Sequence, residues 1–187
     1  MKIAALIGLL FLTGPGVVPL AMAGVTESAS SASAPLVPGQ QFTIAFPDMP
    51  QPFDAISAGK RSTATMHIFL PQNYDAQRQH PLLIFLGGGN GGAAGGMNVA
   101  RKLADERDFV CVGLPYFKAK VETNATGKIG LALYPEDFEI MWPLLRTMLA
   151  KLDAKVPNID PAHRILGGFS NGGHTTAGLL DYSEGEV

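Results

Sequence analysis

The chain has 187 residues, enough for one domain of ordinary size. Apolar residues make up 47% and charged ones 16%, a globular balance that excludes a disordered or fibrous chain. A net charge of −2 gives no footing for nucleic acid or another polyanion as partner.

The first segment reads as an address, not as fold. Met1-Lys2 is a short positive start, Ile3 to Leu12 is an apolar run, and Ala21-Met22-Ala23 is a small-x-small cleavage site. This predicts a signal peptide over residues 1–23, a mature protein beginning at Gly24, and export to the periplasm or outside the cell. Gly14, Pro15, Gly16 and Pro19 cut the apolar run below the roughly 20 residues a spanning helix needs, so no stable anchor is expected after cleavage. Residues 24–40 are rich in Ser, Ala and Pro and read as a linker. The domain is expected over 41–187. Its one cysteine, Cys111, has no partner for a disulfide and sits in the apolar run Phe109–Leu114, where a buried small hydrophobe is expected.

Phe42–Phe46 alternates like a strand, and so does Ala64–Leu70, which Pro71 ends. Together they predict an N-terminal antiparallel hairpin at a sheet edge. His67 lies mid-strand, with no second His at metal-ligand spacing. Leu82–Leu86 is continuously apolar, as a strand covered on both faces should be. A glycine loop follows over Gly87–Gly96. Met97–Arg107 then has helical spacing, and Phe109–Leu114 forms a second buried strand parallel to the first. Tyr116–Leu133 reads as a loop, with a glycosylation triplet at Asn124–Thr126. Pro135–Lys155 is helical, with Leu145, Met148, Leu149 and Leu152 on one face and Pro143 inside. Arg164–Gly167 is a third short strand and Gly172–Tyr182 a further helix. This order predicts an α/β fold with a mostly parallel sheet.

Chemistry concentrates at two places. Gly168-Phe-Ser-Asn-Gly172 matches G-x-S-x-G between a strand and a helix. In that turn the flanking glycines make room, and the serine oxygen stands exposed at the helix start. Ser170 is therefore the candidate nucleophile, set against the plainer reading of a helix-capping serine. Acyl transfer also needs two N–H donors aimed at the developing oxyanion. The backbone of Asn171 should supply one. Gly88 or Gly89, in Leu86-Gly-Gly-Gly-Asn-Gly-Gly92, should supply the other. A phosphate-cradling loop is the rival reading, but the G-K-[ST] ending is missing and no lysine follows before Lys102. No metal or cofactor is implied.

Four stretches carry a family likeness: Phe69-Leu-Pro-Gln-Asn-Tyr74, Pro81-Leu-Leu-Ile-Phe-Leu-Gly-Gly-Gly89, Asn158-Ile-Asp-Pro161 and Gly167-Gly-Phe-Ser-Asn-Gly-Gly173. Over roughly residues 42–182 the chain resembles the N-terminal half of an α/β-hydrolase, and it is most similar to exported esterases of the polyhydroxybutyrate depolymerase and feruloyl esterase type. Those relatives carry a His where this chain has Gly87. The Ser-x-Gly-Gly form also occurs in prolyl-oligopeptidase-like peptidases and in carboxylesterases of the phospholipase–thioesterase group.

The resemblance implies an incomplete α/β-hydrolase fold and a small-molecule or polymeric ester as substrate. It also implies a triad running Ser, then Asp or Glu, then His. After Ser170 the sequence holds only His174, Asp181, Glu184 and Glu186 as acids or bases. His174 lies one turn along the helix behind the serine, and Asp181 lies too far on to orient it. His67, His80 and His163 precede the serine, the last two just before strands and opposite the strand C-termini where ligands bind. The expectation is a serine ester hydrolase truncated before its Asp and His, with a sheet edge left open to a partner chain. The alternatives are a non-catalytic remnant or binding module of the same fold, or a prolyl-oligopeptidase-like peptidase.

Overall fold

The computed structural model describes residues 35–48, 54–57, 60–89, 92–118, 122–123, 125–127, 129–130 and 134–184. The signal segment, most of the linker and Asn124 of the glycosylation triplet lie outside them.

The main sheet has five strands in the order β1-β4-β6-β5-β10. They are β1 (Gln41–Phe46), β4 (Ala64–Phe69), β5 (His80–Leu86), β6 (Val110–Gly113) and β10 (Ile159–Gly168). β6, β5 and β10 run parallel, while β4 pairs antiparallel with both β6 and β1, so the sheet is mixed. β1 and β4 do pair at the sheet edge, but they do not form a simple hairpin. Between them lie β2 (Asp54–Ser57) and β3 (Lys60–Ser62), which join β7 (Tyr116–Lys118) in a second sheet of order β3-β2-β7. The stretch after residue 115, expected to be a loop, thus holds β7 and the small pair β8 (Glu122–Thr123) and β9 (Ile129–Gly130).

Three helices cover the main sheet. α1 spans Ala93–Leu103, starting and ending four residues before the expected Met97–Arg107. Its early start rests on close approach. A side chain on Gly96 would collide with the backbone carbonyl of Phe85, so the glycines mark helix-to-sheet packing instead of a loop. Its early end lies where Asp105, Glu106 and Asp108 all turn to positive φ.

α2 spans Pro135–Lys155, as the periodicity predicts. Pro135 opens it, the Asp137 carboxylate accepts the Tyr134 N–H at 2.9 Å, and Pro143 leaves it unbroken. Met141, Leu145, Met148 and Leu152 are buried along one face against Ile68, Leu82, Ile84 and Val112. α3 spans Asn171–Tyr182 and adds Leu179 to the same core. On the sheet's other face, Phe69, Leu83, Cys111, Met97 and Ala100 pack under α1.

The alternation along β10 explains both faces. Leu166 packs into the α2 side, opposite Ile84 in register, whereas Ile165 is 50% exposed. β10 is the outer strand of the sheet, and no strand among the described residues pairs with its far edge. Among the described residues no helix is long and apolar enough to cross a membrane.

Candidate active site

β10 runs longer than the expected Arg164–Gly167, with a register irregularity between Ile159 and Arg164. At its end the Phe169 N–H donates to the Leu86 carbonyl at 3.1 Å, tying the turn to the top of β5. The chain then reverses within one residue. Ser170 has φ 53° and ψ −121°, far from the extended geometry usual at a helix start. For a non-glycine residue this backbone is strained, costing about 1–3 kcal/mol. Side chains on Gly168 or Gly172 would run into backbone, the former into Gly172 and the latter into Leu86 and Gly87. The turn therefore requires small residues at both positions.

Ser170 immediately precedes α3 at the capping position, yet its side chain makes no capping hydrogen bond. This removes the helix-capping reading for its hydroxyl. The residue is exposed, and the Ser170 carbonyl accepts the His174 N–H at 3.1 Å as the helix begins. The positive end of α3 lies at the serine and favours negative charge there.

The glycine loop comes to the same place. A Cβ built on Gly88 would lie 3.1 Å from Ser170 Cβ and 2.9 Å from Phe169 Cδ1. Gly89 follows with φ 57° and open space around it. Gly88 and Ser170, chosen separately from sequence, thus converge at the C-terminal ends of parallel strands, where open α/β sheets bind ligands. Phe169 was the unassigned x of the motif. It lies 70% exposed beside Gly88, and no sequence signal distinguishes it from any other residue at that position.

Three of the four histidines do not converge there. His80 is fully buried at the start of β5, about 20 Å from that strand's other end at 3.3 Å per residue. Its Nδ1 donates to the Asp108 carbonyl at 3.1 Å and its Nε2 accepts the Asp75 N–H at 3.1 Å. Tyr74 stacks on the ring at 5.0 Å and donates to Asn158 at 2.8 Å. Asn158 thereby rivets the far end of the sheet.

His163 lies within β10, not just before it, exposed and 2.7 Å from Asp160. That contact holds the Asp160 carboxyl below its ordinary range. His67 sits on β4 and faces α1 rather than the serine. His174 follows the serine on α3 and is exposed. Cys111 is fully buried, and desolvation pushes its thiol up to about 12, which rules it out as a thiolate nucleophile. Among the described residues no group of three or more His, Cys, Asp or Glu is placed to hold a metal ion.

No protein-family model and no curated protein matches the chain. Solved structures do. An S-formylglutathione hydrolase from Agrobacterium tumefaciens superposes with a TM-score of 0.52 at 16% identity, over 79% of this chain and 55% of that one. A bacterial heroin esterase gives 0.48 at 18% identity, over 79% of this chain and 40% of that one. The CE1 ferulic acid esterase of Anaeromyces mucronatus gives 0.44 at 16% identity, over 76% and 53%. The chain thus spans about half the length of these proteins, or less. The strand order, the flanking helices and the likeness to the first of these structures make the fold a partial α/β-hydrolase arrangement.

Proposed function

We propose that the chain carries the nucleophile half of a serine ester hydrolase site. Ser170 attacks the ester carbonyl, and the backbone N–H groups of Asn171 and of Gly88 or Gly89 stabilise the oxyanion. The observation that carries this reading is the strained, uncapped Ser170 with Gly88 directly beside it. Strain of this kind persists where surrounding structure imposes it, and it aims the hydroxyl. The substrate is a carboxylic ester, small or polymeric, of the kind the exported-esterase resemblance implies, met after export and removal of residues 1–23.

A hydroxyl needs a general base to attack at neutral pH. His80 and His163 lie toward the opposite end of the sheet, His67 faces α1, and the exposed His174 side chain makes no hydrogen bond to Ser170. We assign the base and its orienting acid to sequence or a partner chain outside these 187 residues, joining at the open edge of β10. The same placement of the histidines favours a second reading, a binding module that retains the fold without turnover.

Chemical rescue separates the two. Added imidazole should accelerate p-nitrophenyl butyrate hydrolysis by the purified mature chain beyond its effect on Ser170→Ala. Without imidazole the rate should stay at the roughly 10³–10⁴-fold over water that an oxyanion hole and binding supply. Identical rates for the chain and Ser170→Ala, with and without imidazole, leave the binding module standing.

A further inference from the structure

A recess with mixed polar and apolar walls opens at the same end of the sheet on the α1 side. Its volume is about 270 Å³, and its walls come from Ser62, Thr63, Thr65, His67, the start of α1 and Pro115. In register, His67 pairs with Gly113, Gly113 with Phe85, and Phe85 with Gly167. Three strand spacings of about 4.8 Å put β4 about 14 Å from β10. The recess is therefore separate from the serine turn.

We propose that this cavity binds a small organic carboxylate. The His67 imidazole has no hydrogen-bond partner among the described residues, and neither has the hydroxyl of Ser62 or Thr63. Thr65 is different, since its hydroxyl donates to the Thr63 carbonyl at 3.2 Å. Three residues with side-chain donors thus line one cavity without a partner among the described residues. Among the described lining residues there is no Asp or Glu, so an anion meets no repulsion from them.

Among the described lining residues there is no Lys or Arg either, which leaves a dianionic phosphate undercompensated and suits a single negative charge. Ala93, Ala94 and Pro115 offer apolar wall for a short carbon tail. At about 30 Å³ per water of liquid volume, the cavity has room for a short-chain acid. Burial lowers the proton affinity of His67, the only titratable side chain among the described lining residues. An arriving anion favours the charged imidazole and opposes that shift.

The test follows the four histidine Cε1–H resonances of the full chain through a pH titration, with butyrate, acetate or inorganic phosphate added at constant ionic strength. Butyrate should raise the His67 midpoint saturably and leave His80, His163 and His174 unmoved, with acetate weaker and phosphate weakest. Thr63→Val, and independently Ser62→Ala, should weaken butyrate about tenfold, the worth of one hydrogen bond to a charged group. Ser170→Ala should change nothing, so the result stands or falls apart from the ester-hydrolase reading. An unmoved His67, equal shifts at all four histidines, phosphate binding tighter than butyrate, or unchanged affinity in both hydroxyl variants each overturns the proposal.

Discussion

Gly88 lies against Ser170 so closely that a methyl group on it would stand 3.1 Å from the serine Cβ and 3.0 Å from the Phe169 carbonyl. Gly88→Ala should therefore displace the serine turn or the loop. Since an oxyanion donor must sit near 3 Å from the reacting oxygen, the loss in imidazole-rescued turnover should be about a hundredfold. Gly89→Ala meets no neighbour and carries only the roughly 1–2 kcal/mol cost of a left-handed alanine. Kinetics and denaturant melts of the two variants check the contrast: the first should lose activity chiefly, the second stability.

The strain at Ser170 is itself measurable. Ser170→Ala keeps a Cβ at φ 53°, whereas Ser170→Gly removes it. Glycine should be more stable than alanine there by about 1 kcal/mol, the reverse of its usual rank. Urea unfolding of the two variants reads this directly, and alanine at least as stable as glycine would deny the strain.

Cys111 should be silent in the folded protein. Its thiol is fully buried and pushed up to about 12, so a disulfide reagent at pH 8 should find it only after unfolding. Stopped-flow labelling in increasing urea should track the unfolding transition, and rapid labelling in buffer would contradict the burial.

His67 makes the fold sensitive to mild acid. Burial lowers its proton affinity from the ordinary value of 6.5, so around and below that pH the unfolded chain binds the extra proton. The associated stability is present above pH 6.5 and falls as the pH drops through the lowered midpoint. His67→Gln should flatten this part of the stability–pH curve. Asp160 acts elsewhere: with its acidity strengthened first by His163, its contribution is present above its ordinary value of 3.8 and fades only below that.

The outer edge of β10 should make the chain self-associate. Edge strands with exposed apolar side chains recruit other strands, and Ile165 and Phe169 are 50% and 70% exposed. Ile165→Lys should slow light-scattering growth at 37 °C without lowering the melting temperature. Unchanged scattering would place the association elsewhere.

What the sequence revealed depended on how each residue is used. Leu82–Leu86 and the α2 stripe of Leu145, Met148 and Leu152 announce themselves because burial on both sides, or on one face, imposes a pattern. β2 and β3 escape notice because strands of four and three residues leave no period to read. The start of α1 was missed because a glycine required by contact with Phe85 looks the same as a glycine in a loop. At the serine turn, motif and neighbours located Ser170 and Gly88, but composition could not show that the hydroxyl is uncapped. Nor could it show that Phe169 stands beside it.

The pairing of β10 with β5 joins residue 168 to residue 86 across more than half of the domain. By contrast β5, α1 and β6 follow one another directly and can associate while the chain is short. Loop-closure entropy delays distant contacts, so β10 is expected to dock last. The unfavourable backbone of Ser170 is imposed only by that docking, because Leu86 and Gly87 are what the turn closes against. The strained geometry of the serine turn is then a product of the final folding step. A chain arrested before it would hold a formed β5-α1-β6 core and a relaxed serine backbone.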